Sequence, residues 1–163
     1  MSSMSPLRPG DPVPRFQLKG INNMILALDL PDVEGPRLLF FFAREQRDSR
    51  AAFPYMERMA RTLSQSAGRV WAITADSHGD CLETADQFQL SFQILLDTRN
   101  RVRDAYGIRE LPALVPVDRE LFAGAVLQGF DADKWTAACH EFVTSLGLDS
   151  NGLFQEEDWL PGV

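Results

Sequence analysis

Cysteine and histidine are scarce in this chain, which has two of each among its 163 residues. Cys81 and Cys139 cannot form the disulfide framework on which small secreted domains depend, so nothing in the cysteine pattern points to secretion. His78 lies between Asp76 and Asp80, a spacing more typical of a polar turn than of a metal site. We therefore expect no metal and no other cofactor.

Positive charge and long apolar runs are also lacking. Sixteen basic residues against 23 acidic residues give a formal net charge of −7. A nucleic-acid-binding surface needs clustered Lys and Arg, and so does docking on anionic lipid, so we expect no nucleic acid and no membrane as partner. The longest apolar run, residues 38–43, is too short to cross a bilayer, and the Ser/Pro-rich start contains no apolar segment of signal-peptide length. We expect a cytoplasmic protein.

The length and the apolar content of 45% predict one domain with a core that needs no disulfides. We divide the chain into an irregular lead-in (1–12), a globular domain (13–147) and an acidic C-terminal tail (148–163). The apolar run at 38–42 is typical of a strand covered on both faces. A helical pattern and a second apolar strand at 70–74 follow it, which predicts a right-handed β-α-β unit. We also predict two N-terminal strands, an edge strand at 13–18 and a second strand at 25–30. Three further strands are predicted at 94–96, 111–118 and 122–129. The remaining predicted helices lie at 81–88, at 101–106 and from Trp135 to Leu146.

Three stretches carry motifs in a characteristic order. The first is Gly10-Asp11-x-x-Pro14-x-Phe16. The second is Phe41-Phe42-Ala43, with Ser49 six residues later and Pro54 five residues after that. The third runs over 95–118 and contains Leu95-x-Asp97, Tyr106-Gly107, Pro112 and Val117-Asp118. Together they resemble the peroxiredoxin-type redoxins of the thioredoxin-like superfamily, the alkyl hydroperoxide reductase/thiol-specific antioxidant family.

The resemblance implies an α/β thioredoxin-like fold: a central mixed sheet of about five strands with helices on both faces and a short N-terminal β extension. It also implies that Pro112 is a cis-proline beside the active site. In that fold we expect the helix that holds Cys81 to lie on the face opposite the first and last helices. A Cys81–Cys139 disulfide would then have to span the sheet, beyond the ~7 Å limit between Cα atoms.

The sequence departs from the family at the reactive positions. On thioredoxin spacing the two cysteines fall at Gln46 and Ser49, and on peroxiredoxin spacing the threonine falls at Arg47 and the peroxidatic cysteine at Arg50. These positions are vestigial, because thiol chemistry requires a thiolate. A serine hydroxyl would need an adjacent general base and is not oxidised by peroxide.

Cys81 is the weak candidate for a displaced nucleophile. It follows the second parallel strand near the start of a helix, at the same edge of the sheet as Gln46 and Ser49, and a helix N-terminus favours a thiolate. The competing interpretation is a small cap or core residue. Cys139 lies beside the apolar stripe of the last helix, where core packing is the better interpretation.

Two regions are candidates for binding a partner. Arg44, Arg47 and Arg50 precede and open the first helix, and could bind an anion or an acidic partner, although the interleaved acids also fit a solvated turn. In the tail, Phe154, Trp159 and Leu160 are unusual for an acidic segment, so they either pack back on the domain or anchor a partner.

Three functions remain open. The first is a redox-inactive redoxin that binds another protein, or a second copy of itself, as an assembly module. The second is a thiol-dependent oxidoreductase or peroxidase that uses Cys81. The third is a redoxin-like module of a larger enzyme system. The fold alone does not choose between them, because function depends on the site.

Overall fold

The computed structural model describes residues 7–29 and 35–148. The strands are β1 (Phe16–Gly20), β2 (Ile25–Leu28), β3 (Arg37–Phe41), β4 (Arg69–Thr74), β5 (Gln93–Leu96), β6 (Ala113–Val117) and β7 (Leu127–Gln128). The helices are α1 (Arg47–Leu63), α2 (His78–Phe88), α3 (Arg101–Ala105) and α4 (Ala132–Ser145). These elements form a thioredoxin-like α/β fold, as the sequence motifs predict.

The strands form one mixed sheet in the order β2-β1-β5-β4-β3-β6-β7. The central strands β3, β4 and β5 are parallel, and the remaining pairs are antiparallel. The sheet has seven strands rather than about five, because the N-terminal β extension joins it: Lys19 pairs with Leu96 and Gly20 with Leu95. The edge position expected for the first strand is therefore wrong, since β1 lies between β2 and β5.

Each face of the sheet has its own core. Side chains alternate along β3, so Leu38, Phe40 and Phe42 face one side and Leu39 and Phe41 face the other. The first core is built with α1, α2 and α4 around the fully buried Trp135. The second core is closed by α3 and by the segments that flank the sheet, around the buried Tyr106. Continuous burial of β3 explains its unbroken apolar sequence.

The position of α2 differs from our expectation. Cys81 and Cys139 belong to the same core, and the rings of Phe53 in α1 and Phe88 in α2 lie 4.9 Å apart, so α2 packs on the same face as α1 and α4. The reason is topological: β3 to β4 and β4 to β5 step in the same direction along the sheet, and right-handed crossovers in one direction place both helices on one face. The argument that a disulfide would have to span the sheet is therefore wrong, and both cysteines are free thiols.

Part of the lead-in runs beside the segment that was expected to form the last long strand. The Gly10 N–H donates to the Ala123 carbonyl at 2.7 Å, and the Val13 N–H donates to the Leu121 carbonyl at 2.9 Å. Regular pairing of the 122–129 segment is confined to β7, where Leu127 pairs with Leu114. Within the described ranges, no helix is long and apolar enough to cross a membrane.

Candidate functional site

A cavity of about 310 Å³ opens at the carboxyl ends of β3, β4 and β5. Its lining is mixed: Phe41 of β3 and Ile73 and Thr74 of β4 line it, together with polar and charged groups from the segments that follow the strands. The polar and charged lining residues include Glu45, Gln46, Thr74, Asp76, Asp97, Asn100 and Arg103. Parallel strands bring their carboxyl ends to one edge, which is where open α/β sheets place their ligands.

The β3–α1 turn (residues 42–46) and the first turn of α1 hold the positions where a redoxin carries its thiols. Gln46 is the N-cap of α1, in extended conformation and exposed, and its side chain makes no capping hydrogen bond. Arg47 begins the helix and is also exposed. Both side chains reach solvent, Gln46 as part of the cavity lining, and neither offers a nucleophile.

Ser49 and Arg50 hold the turn in place. Ser49 is fully buried, and its Oγ accepts a hydrogen bond from the Ala43 N–H at 3.2 Å. The Arg50 Nη1 donates to the Arg44 carbonyl at 2.8 Å. The side chains at the second thioredoxin position and at the peroxidatic position are thus engaged with the backbone of the turn.

Arg44 joins the turn to the start of α2. Its N–H donates to Asp76 Oδ2 at 3.0 Å, and its Nη1 donates to the Asp80 carbonyl and to Glu83 Oε2, each at 3.1 Å. The hydrogen bond to Glu83 raises the pKa of Arg44; desolvation opposes it, and the charges of Asp80, Glu83 and Asp76 raise the pKa further. The guanidinium that we considered for partner binding therefore has acidic partners within its own chain.

Cys81 lies in the first turn of α2 but is fully buried. Its Sγ–H points to the Asp76 carbonyl, 3.8 Å away. Burial raises the pKa of the Cys81 thiol to about 12, with further contributions from Asp76 and Asp80 that outweigh the opposing effect of Arg44. At neutral pH the group is a thiol, so the expected benefit of the helix N-terminus does not produce a thiolate.

Cys139 is buried in α4, as its place in the helix predicts. Burial raises the pKa of its thiol to about 12. The chain has no third cysteine. Both thiols are thus core groups in this conformation.

The cis-proline expected from the resemblance is present. The Leu111–Pro112 peptide bond is cis, and Leu111 lines the cavity together with Ala43 and Gln46. The chain therefore retains the cis-proline that the resemblance implies, beside the positions where other residues replace the thiols.

Asp97 is the site residue whose role sequence reasoning missed. It is 3% exposed, and its two carboxylate oxygens accept the N–H groups of Val102 and Arg103 at 3.2 and 3.0 Å, which fixes the start of α3. Arg103 in turn donates to the carbonyls of Ile108 and Arg109 at 3.1 and 3.2 Å. The Leu95-x-Asp97 motif was the available signal.

The remaining candidates divide into two groups. The His78 Nε2–H donates to the Ile21 carbonyl at 2.9 Å, a structural contact that agrees with a polar turn. In residues 7–29 and 35–148, no three His, Cys, Asp or Glu side chains come close enough to hold a metal ion. Phe154, Trp159 and Leu160 lie outside the described residues.

The fold, the cis-proline and the turn that precedes α1 define a thioredoxin-like redoxin. The chain belongs to the AhpC/TSA family, whose sequence profile matches residues 9–123. A curated relative is the thiol-disulfide oxidoreductase ResA of Oceanobacillus iheyensis, 28% identical over 109 residues that cover 64% of this chain and 57% of that protein. The chain thus spans a little over half the length of this relative.

Solved structures show the same fold. A Chlorobium tepidum protein assigned as thiol:disulfide interchange protein DsbE superposes with a TM-score of 0.78 at 24% identity, over 86% of this chain and 99% of its own. The peroxidoxin BcpB from Mycobacterium tuberculosis superposes with a TM-score of 0.74 at 17% identity, over 86% and 98%. At these identities the likeness concerns the fold alone.

Proposed function

We propose that this AhpC/TSA-family chain has no thiol redox activity and serves as a cytoplasmic protein-binding or assembly module. The observation that carries the proposal is the state of the thiol positions. Gln46 is exposed and uncapped, while Ser49 and Arg50 are hydrogen-bonded to the backbone of the turn at 3.2 and 2.8 Å. A redoxin frame is therefore retained around a turn that has no group able to form a thiolate.

The same edge supplies the surface that we assign to a protein partner or to a second copy of the chain. Exposed Glu45 and Gln46 line the 310 Å³ cavity together with Asp76 and Arg103, and exposed Arg47 follows Gln46 at the start of α1. Both signs of charge are present, which suits a polar protein segment better than a nucleic-acid backbone.

The competing function is a thiol-disulfide oxidoreductase or peroxidase that uses Cys81. ResA, by its name, favours it, as does the place of Cys81 beside Asp76 at the cavity edge. Its burial and its raised pKa oppose it, because a thiol with a pKa of about 12 is almost wholly protonated at neutral pH.

A turnover experiment tests the proposal. Reduction of hydrogen peroxide and of insulin disulfides by dithiothreitol is measured with the wild-type chain, with Cys81→Ser and with Gln46→Cys/Ser49→Cys. The wild type and Cys81→Ser should match the rate without protein. The double variant is the matched positive control, since it returns a Cys-x-x-Cys to the start of α1, where a thiolate is favoured. Turnover by the wild type that Cys81→Ser abolishes would establish the competing function instead.

Binding at the edge has its own readout. Sedimentation of the purified chain reports self-association, and co-purification from the native cell reports a different partner. Gln46→Glu/Arg47→Glu should weaken whichever of these two associations the wild-type chain shows. The matched control is Arg119→Glu/Glu120→Lys, which changes exposed residues between β6 and β7. Equal association of both variants would place the interface elsewhere.

A further inference from the structure

β2 is the terminal strand of the sheet, and no other strand in the described part of the chain pairs with its outer edge. The Gly20 N–H donates to the Met24 carbonyl at 2.7 Å across the β1–β2 pair. Backbone groups alternate in direction along an antiparallel strand, so those of Leu26 face β1 and those of Ile25 and Ala27 point away from the sheet. Two N–H and two C=O groups, all strong hydrogen-bonding groups, are therefore presented along this edge.

The β2 edge lacks the features with which proteins usually prevent pairing between sheet edges, such as charged side chains, proline and bulges. The sequence from Met24 to Leu28 is Met-Ile-Leu-Ala-Leu, and the pairing with β1 is unbroken. Met24 and Ile25 are 58% and 60% exposed, the highest values among the large apolar side chains of the described residues. The opposite edge strand, β7, has only two residues, and a short edge pairs poorly.

The strand is complementary to a second copy of itself. Two β2 strands can lie antiparallel with Leu26 of one chain opposite Leu26 of the other. In this register the outward groups of Ile25 meet those of Ala27 in the second copy, and the reverse, which gives four hydrogen bonds between the chains. The pairing also places a large side chain beside a small one on the face that Ile25 and Ala27 share.

The neighbouring residues are compatible with the same register. Met24 would lie across from Leu28, and Asn23 across from Asp29, so apolar side chains meet and no like charges meet. Pairing about a two-fold axis is closed, because both copies use the same edge. A contact confined to a four-residue strand is smaller than the interfaces of stable complexes, which bury about 1,200–2,000 Å². We therefore expect weak association that depends on protein concentration.

We propose that β2 pairs antiparallel with β2 of a second copy of the chain, with Leu26 at the two-fold axis, so that two seven-stranded sheets become continuous. The occupant is a second copy rather than an unrelated strand, because one register satisfies the outward backbone groups of both chains. No residue of β1 or β2 lines the cavity at the thiol positions, so this interface does not depend on the proposed function.

Disulfide cross-linking tests the register. Opposed residues of this kind have Cα atoms about 4.5 Å apart, within reach of a disulfide. Leu26→Cys should therefore give a disulfide-linked dimer when copper phenanthroline and oxygen are added to the concentrated chain. Ile25→Cys is the matched control. Its side chain is more exposed, but its two copies are offset by two residues along the strands, beyond the ~7 Å limit, so it should cross-link more slowly. The wild type, whose two cysteines are buried, should give no linked dimer.

Sedimentation over a range of concentrations tests the association itself. The sedimentation coefficient of the wild type should rise with concentration, and Ile25→Lys should remove the rise by placing charge on the edge. Ala27→Pro should do the same, because it removes an outward N–H that is not bonded to β1. Phe122→Lys changes a 42% exposed residue between β6 and β7 and should leave the rise unchanged. Near-ultraviolet circular dichroism from the buried Trp71 and Trp135 reports that each variant is folded.

Three results would overturn the proposal. These are a wild-type sedimentation coefficient that is independent of concentration, association that survives Ile25→Lys, and cross-linking of Ile25→Cys as fast as that of Leu26→Cys. Cross-linking of Leu26→Cys only to a different protein of the native cell would also overturn it, since the edge would then accept a foreign strand.

The β2 edge and the cavity edge can be tested separately. Gln46→Glu/Arg47→Glu should leave the cross-linking of Leu26→Cys unchanged, and its loss would place the interface at the cavity edge instead. Ile25→Lys provides the background in which binding at the cavity edge is measured without pairing of β2. Failure of either interface therefore leaves the other one open to test.

Discussion

Two parts of the same site have diverged in this molecule. On one side, the framework retains the family pattern: the cis Leu111–Pro112 bond, the buried Asp97 at the start of α3, and Pro54 within α1. On the other side, Gln46 at the N-cap of α1 and Ser49 in its first turn stand at the two thioredoxin cysteine positions.

In this chain, the side chains at those positions stabilise the turn. Ser49 Oγ accepts the Ala43 N–H, and the Arg50 guanidinium holds the Arg44 carbonyl. A thiol at either position would be a poorer hydrogen-bonding partner than the hydroxyl and the guanidinium that are present. Polar contacts with the backbone of the turn thus stand at the positions where the resemblance places the thiols, beside a framework that keeps the cis bond.

The largest expected effect concerns the two remaining cysteines. Their thiol pKa values are raised from an ordinary value of 9.0 to about 12, so at about pH 8 the thiolate fraction of the folded chain is about a thousandfold below that of the unfolded chain. Alkylation by iodoacetamide, followed by intact mass, should be slower in the folded chain by at least that factor.

The pH profile of this alkylation distinguishes the two interpretations of Cys81. Because the folded-state pKa is raised, the rate should increase tenfold per pH unit beyond pH 9 towards about pH 12, whereas in denaturant it should level off above pH 9. Cys81→Ser reports Cys139 alone and is the matched control. If the alkylation rate of Cys81 reached half its maximum below about pH 8, Cys81 would form an accessible thiolate in the folded chain. The site would then retain a reactive thiol beside the family framework.

The sequence predicts the elements that depend on local pattern. The continuous apolar run predicts β3, the spacing after it predicts α1, and the Leu111-Pro112 motif marks the cis bond through resemblance. The burial of Cys139 also follows from its helical position.

Features that depend on distant parts of the chain were not predictable in this way. The pairing of β1 with β5 joins residues separated by about 75 positions, and it changes the strand count and the edge. The face of α2 follows from the direction of two crossovers, which is a property of strand order rather than of composition. Arg44 pairs with Glu83, which is 39 residues away in the sequence. The neighbouring charged residues alone therefore could not reveal whether the Arg44 side chain was available to bind a partner.

The second prediction concerns the buried hydroxyl of the turn. Ser49→Ala removes the acceptor of the Ala43 N–H and should lower the free energy of unfolding by about 1–2 kcal/mol, because a half-buried donor loses its partner. Ser64→Ala is the matched control: Ser64 is exposed and donates to the Arg61 carbonyl at 2.8 Å, so its loss should cost less than about 0.5 kcal/mol. Denaturant titration of both variants gives the two values, and equal losses would mean that the Ser49 contact does not stabilise the turn.

The smallest effect is expected for Arg44, although its side chain contacts both Asp80 and Glu83. Its partners Asp80 and Glu83 have side chains that are 50% and 71% exposed, and an exposed ion pair gains little because water and salt screen it. Arg44→Ala keeps two hydrogen bonds, because both use only the backbone of residue 44. Its N–H still donates to Asp76, and its carbonyl still accepts from the Arg50 guanidinium. The thermal midpoint should therefore change by about 1 °C or less, and the change should disappear at high salt. A loss larger than that of Ser49→Ala would mean that the turn is held by its link to α2, and the ranking of buried hydroxyl above exposed charge would be wrong.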